Sequence, residues 1–172
     1  MTHLRGECGS AGEAGAEVEI RPMSLSDLDG VTAIEQRTFA NPWSRGSFER
    51  DCIGDGTSTW VAVRGGEVIG YIVSWIVRDE IHIGNIAVAP DVRRRGTGRC
   101  LLARALADAA GKGVGLATLE ARESNTGAIR LYESFAFRPV AIRKSYYADS
   151  GEDAIVMIAD LGAPEGGAPP GE

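Results

Sequence analysis

Apolar residues recur along this chain with two periods, one of strands and one of helices. Glu17-Val18-Glu19-Ile20-Arg21 alternates polar and apolar positions, as a half-buried strand does, and Pro22 ends it. Leu28, Val31, Ile34 and Phe39 then recur at near-helical spacing behind Ser24 and Ser26, either of which can cap a helix, until Asn41-Pro42 stops it. A short second helix is predicted from Ser44 through Phe48. Residues 60–63 and 68–73 are apolar runs around Arg64-Gly65-Gly66-Glu67, whose glycine pair tolerates the positive φ angles of a tight hairpin. A third strand over 80–88 completes an antiparallel meander. Over 98–112, Leu101, Leu102, Ala105, Leu106 and Ala109 form one helical face. A strand over 116–121, a helix over 125–135 and two closing strands near 140–144 and 154–158 complete the order β-α-α-β-β-β-α-β-α-β-β.

That order predicts an α+β fold: one mixed, mostly antiparallel sheet of about seven strands with helices on both faces. The 172 residues, 44% hydrophobic, suit one domain, expected over 17–161. Residues 1–16 are rich in Gly, Ala and Glu, and 162–172 in Gly, Pro and Ala, so a disordered leader and tail are expected there. The formal net charge of -6 disfavours nucleic acid or an anionic membrane as the main partner. No stretch approaches the roughly 18 apolar residues needed to span a bilayer, and the N-terminus lacks the apolar core of a signal peptide, so a cytoplasmic address is expected. The three cysteines have no zinc-site or redox-motif spacing, and with only His3 and His82 there is little material for a metal site or a Ser-His-Asp system. No metal is expected.

The chemistry concentrates where the strand Gly84-Asn85-Ile86-Ala87-Val88 gives way to Arg93-Arg94-Arg95-Gly96-Thr97-Gly98-Arg99 and then to a helix. The first amides of a helix lack internal partners and carry partial positive charge, so they can hydrogen-bond a pyrophosphate. Gly96 and Gly98 present no side chain to block its approach, and Arg94, Arg95 and Arg99 add charge. The loop is no Walker motif, since no Gly-Lys-Ser/Thr follows, and a meander rather than a βαβ unit precedes it, which disfavours a Rossmann site. A coenzyme A pyrophosphate remains; a Gly-rich turn capping a solvated helix is the plain alternative.

Arg93 through Gly98 resembles the coenzyme A loop of the GNAT N-acetyltransferase superfamily, Gln/Arg-x-x-Gly-x-Gly/Ala, and the resemblance extends over most of 19–160. Leu119-Glu120-Ala121-Arg122-Glu123-Ser124-Asn125, Tyr132-Glu133-Ser134-Phe135-Ala136-Phe137, Asn41-Pro42-Trp43-Ser44, Tyr146-Tyr147 and Glu152-Asp153-Ala154 are similar to the RimI-type branch, which acetylates the N-terminal alanine of a small-subunit ribosomal protein. The resemblance implies acetyl-CoA as cosubstrate and a protein N-terminus as acceptor. It implies Glu120 as general base and Tyr132 as general acid. Ile86, Ala87 and Val88 would meet the pantetheine arm, Asn125 would touch coenzyme A, and Trp43, Tyr146 and Tyr147 would line the acceptor side.

Elementary chemistry fits those roles. An α-amine has a pKa of about 7.7 to 8.0, so a carboxylate can deprotonate it cheaply, whereas a lysine near 10.4 costs about 4 kcal/mol. A phenol near pKa 10 is a reluctant acid toward a thiolate whose conjugate thiol titrates near 8.5. Core packing for Tyr132 and a solvated carboxylate for Glu120 are the plainer roles for these residue types. An acyl-enzyme at Cys100 is disfavoured by its place behind the phosphate loop, and His82, alternating within a strand, reads as packed or exposed. Other readings are acetylation of lysines or other N-termini, of a small amine, or acyl-CoA binding without turnover. Asp79, Glu80, Glu152 and Asp153 form an acidic set that would favour a basic acceptor tail. Where the branch has Gly, this chain has Ala136, which costs about 1 kcal/mol if a left-handed helix end is kept.

Overall fold

The computed structural model describes residues 16–162; the leader and tail, apart from Ala16 and Gly162, lie outside the described residues. In chain order the elements are β1 (Val18–Pro22), α1 (Leu28–Thr38), α2 (Arg45–Ile53), β2 (Thr57–Arg64), β3 (Glu67–Val77), β4 (Glu80–Val88), α3 (Thr97–Gly111), β5 (Leu116–Arg122), α4 (Thr126–Glu133), β6 (Arg138–Tyr147) and β7 (Glu152–Asp160). The strands form one sheet in the order β1-β2-β3-β4-β5-β7-β6. Every neighbouring pair is antiparallel except β4 and β5.

The element order matches the expectation, and several elements are longer than the sequence pattern indicates, α2 and β6 among them. α2 runs on to Ile53 although only Phe48 of it is buried, so no apolar stripe marks its second half. β6 spans ten residues, nine of them exposed, because it is the sheet's edge strand and shows no alternation of burial.

Helices cover both faces. Tyr71 of β3 points toward α1 and α2, where its ring meets Phe48 edge-on at 5.3 Å. The adjacent Gly70 faces the other way, and a Cβ there would come within 3.1 Å of Leu101 on α3. Leu28 and Val31 of α1 and Leu101, Leu102, Ala105 and Ala109 of α3 are fully buried. Each large side chain so buried contributes about 2 kcal/mol. The start of α1 is fixed by Asp27, buried beneath the fork of Arg21 at 2.7 and 2.8 Å, which also accepts the Ser24 N–H and hydroxyl. The Arg21 guanidinium, with help from Ser24, holds the Asp27 carboxyl at about 2 against the opposing effect of burial.

The centre of the sheet is split. β4 and β5 pair from Glu80 with Leu116 only as far as Ile83 with Leu119, and Gly84 is skipped in the β3–β4 register as a bulge. Beyond it, residues 85–88 of β4 have no strand partner on the β5 side. Apart from the Val88 carbonyl, which accepts from Arg93, the backbone groups that point there are available to a ligand.

Candidate active site

The β4–α3 connection opens at that split. Gly96 is the N-cap of α3 with φ of 85°, and Arg94 is also left-handed at 63°, so the turn aims successive amides outward. Gly96 is needed for its conformation, since a Cβ there would meet nothing. A Cβ at Gly98 would lie in ordinary contact with Val88 and with Leu131 on α4, at 3.7 Å from each. Arg94 and Arg95 are exposed. Arg93 turns back, donating to the Val88 carbonyl at 3.0 Å and to the Thr38 hydroxyl at 3.3 Å. Arg99 reaches α4, donating to the Ser134 hydroxyl at 2.9 Å and lying 4.9 Å from the centre of the Phe135 ring. Two of the arginines are therefore aimed at solvent beside the loop, and two brace it.

On the face covered by α1 and α2, Glu120 of β5 lies next to the point where the strands part. Its Oε2 is 3.0 Å from Nε2 of His82 on β4, and its Oε1 is 3.5 Å from Arg143 of β6. The other His82 nitrogen is 2.9 Å from the Thr118 hydroxyl, which donates to Glu80 at 2.8 Å. His82, not counted among the catalytic candidates in the sequence, thus holds the carboxylate that was. The link comes from the parallel register, which sets His82 opposite Thr118 and so beside Glu120, two residues further along β5. Trp75 stacks on His82 with centroids 5.9 Å apart, and Trp43 stacks on Trp75 at 6.0 Å. The Trp75 ring lies across Gly84 so closely that a Cβ there would stand 2.1 Å from it. Trp43 is therefore joined to Glu120 through two stacked rings.

α4 is capped by the Asn125 side chain, which accepts the Ala128 N–H at 3.2 Å, so the oxygen of this expected coenzyme contact is engaged in starting the helix. Tyr132 on α4 is 6% exposed, and burial, with a lesser effect of Tyr147, pushes its phenol up to about 12. Among the described residues its hydroxyl has no hydrogen-bond partner, yet no enclosed polar side-chain atom is left unpaired, so the hydroxyl oxygen is not fully enclosed. Past α4, Ala136 does take the left-handed conformation, at φ of 64°, so the chain keeps this helix end despite the added Cβ. Tyr146 and Tyr147 end β6 and meet edge-on at 5.1 Å; Tyr147 is half-buried and Tyr146 exposed. Of the acidic set, Asp153 pairs with Lys144 and Glu152 with Arg122, which leaves less free negative charge than the sequence suggests. Among the described residues no cluster of His, Cys, Asp or Glu has a metal-binding arrangement, and no helix is long and apolar enough to cross a membrane.

A seven-stranded sheet split at its parallel pair, with a Gly-rich helix start on one side and a held carboxylate on the other, is an acyltransferase architecture. Residues 28–137 match the acetyltransferase (GNAT) family, and the chain belongs to that family. It is 38% identical over 144 residues to the [ribosomal protein bS18]-alanine N-acetyltransferase of Escherichia coli K12, covering 83% of this chain and 97% of that one. It is 33% identical over 153 residues to the N-alpha-acetyltransferase RimI of Mycobacterium tuberculosis, covering 86% and 95%. The crystal structure of the ribosomal-protein-S18-alanine N-acetyltransferase from Escherichia coli superposes with a TM-score of 0.81 at 35% identity, covering 88% of this chain and 99% of that one.

Proposed function

We propose that this chain transfers the acetyl group of acetyl-CoA to the N-terminal alanine of ribosomal protein bS18, by direct attack of the α-amine within a complex of both substrates. The observation that carries this reading is the Glu120 carboxylate, held by His82 at 3.0 Å beside the opening between β4 and β5. Near-full-length likeness to bS18-alanine acetyltransferases supports the choice of acceptor, and a ribosomal-protein acceptor fits work in the cytoplasm.

The residues fit the donor. The amides that follow Gly96, with Arg94, Arg95 and Thr97, suit a pyrophosphate. The unpaired edge of Ile86, Ala87 and Val88 suits the amides of a pantetheine arm, and Arg93 and Arg99 brace the loop around it. Asn125 supports the donor indirectly, by setting where α4 begins.

Glu120 takes the proton of the incoming ammonium. With an α-amine pKa of about 8, releasing that proton near pH 7.4 costs under about 1 kcal/mol. His82 fixes the orientation of Glu120, and Trp43, Tyr146 and Tyr147 flank the approach. Tyr132 stays protonated at neutral pH and donates a hydrogen bond to the sulfur as negative charge develops. With the phenol at about 12 and the thiol near 8.5, complete proton transfer would be uphill by about 5 kcal/mol, so Tyr132 acts as a hydrogen-bond donor and solvent supplies the proton.

Initial rates with short peptides carrying the bS18 N-terminus, the same peptide with a different first residue, and a lysine peptide with a blocked N-terminus test the reading. Preference for the free N-terminal alanine by at least about tenfold is expected. Equal or faster modification of the blocked lysine peptide would overturn it.

A further inference from the structure

Arg122 lies two residues beyond Glu120 on the same face of β5 and reaches toward the β6–β7 turn. Its Nη2 donates to both oxygens of Asp149 at 3.0 and 2.8 Å, and its Nη1 to the Ser150 hydroxyl at 3.0 Å and to Glu152 at 3.4 Å. The guanidinium lies 3.9 Å from the centre of the Tyr147 ring. Glu152 in turn accepts the Ser124 N–H at 2.7 Å, at the turn that leads into α4 and Tyr132. One side chain thereby ties the acceptor-side turn to the strand of Glu120 and to the start of the helix that carries Tyr132.

This tie falls where the sheet itself is weak. Regular β6–β7 pairing lapses between Arg143 and Tyr147, Ser145 is left-handed at 49°, and β6 is exposed along nearly its whole length. Tyr147 rejoins the ladder opposite Glu152, and its carbonyl accepts the Gly151 N–H at 2.7 Å, but these bonds hold its backbone and leave the half-buried ring to be oriented by its neighbours. A planar guanidinium can orient it, with paired charge-assisted bonds and a stacked ring that an ammonium cannot reproduce.

Resting on the acceptor reading above, we infer that Arg122 is a positioning residue for the acceptor, which holds Tyr147 and the β6–β7 turn in place to receive the peptide N-terminus while leaving acetyl-CoA binding untouched. In the Arg122→Gln enzyme the KM for the bS18 peptide rises about tenfold, kcat changes less than about threefold, and the acetyl-CoA Kd by calorimetry is unchanged. Arg122→Lys, which keeps charge but not the fork, falls between Gln and wild type. Amide hydrogen exchange over 145–151 in the free enzyme speeds up in Arg122→Gln, a readout that does not depend on which peptide is the acceptor. Asp149→Asn, at an exposed turn, gives a smaller change in the same direction and adds less than its own effect in the Arg122→Gln background. A peptide KM within twofold of wild type would overturn the inference, as would unchanged exchange over 145–151 or a loss of acetyl-CoA affinity in parallel with the peptide. Should the wild type prefer another acceptor, the exchange and calorimetry arms still decide the role of Arg122.

Discussion

Glu35 and Glu120 are both carboxyl groups on the face of the sheet covered by α1 and α2, and they live in opposite circumstances. Glu35, on α1, is 1% exposed, and its two oxygens accept the Trp43 N–H at 2.8 Å, the Asn85 amide at 3.1 Å and the Tyr71 hydroxyl. Among the described residues Glu120 has no backbone donor on it; a histidine and an exposed arginine meet it at the edge of an opening. Burial and the neighbouring Glu35 raise the Tyr71 phenol far above its ordinary value, so that hydroxyl remains a donor throughout the physiological range. A carboxyl saturated by neutral donors is a fastener, and one met only by side chains at the edge of an opening keeps lone pairs free to accept from a ligand.

The contrast is broken most sharply at Glu120. Glu120→Gln is expected to lower kcat/KM about a thousandfold, roughly 4 kcal/mol, while the urea midpoint stays near that of wild type; steady-state kinetics alongside urea unfolding check both halves. Glu35→Gln should do the reverse. An amide there turns a donor toward a donor, so stability should fall by about 3 kcal/mol, read as a lower urea midpoint at unchanged m value, with kcat near wild type in the molecules still folded.

Asp27 is a third carboxyl near α1, saturated by a cation together with the Ser24 N–H and hydroxyl. Its folded pKa of about 2 lies below its unfolded value, so its stabilisation is fully present above about pH 4 and is lost as pH falls through about 2. Urea unfolding of wild type from pH 5 to pH 2 should show a loss of about 2 kcal/mol that Asp27→Asn lacks. The smallest effect belongs to His82. His82→Phe keeps a ring for Trp75 to stack on and removes both nitrogens, and kcat should fall about tenfold with acetyl-CoA affinity unchanged. In the Glu120→Gln background the same change should cost almost nothing more, since the group it orients is already gone.

Much of this molecule was legible along the chain because its signals are local. The Gly65-Gly66 hairpin takes φ of 58° and 84°, the stop at Asn41-Pro42 ends α1, and the Gly-rich step into α3 lies where the motif puts it. What escaped the sequence depends on elements distant in the chain. His82 reaches Glu120 only because β4 and β5 run parallel in one register, which no neighbouring residue encodes. Glu35 occupies a polar slot on a helix whose apolar stripe hides it, and its three donors come from a loop and two strands. The ends of α2 and β6 were missed for a simpler reason, since exposed residues carry no periodicity.

The ring of Trp75 over Gly84 makes position 84 a mutational dead end with remote reach. Even the single methyl of alanine would overlap the indole and force it aside, and the displaced indole is the one that both Trp43 and His82 rest against. A change at position 84 would thus be transmitted through Trp75 and His82 to Glu120. A smaller side chain at position 75 would relieve that overlap.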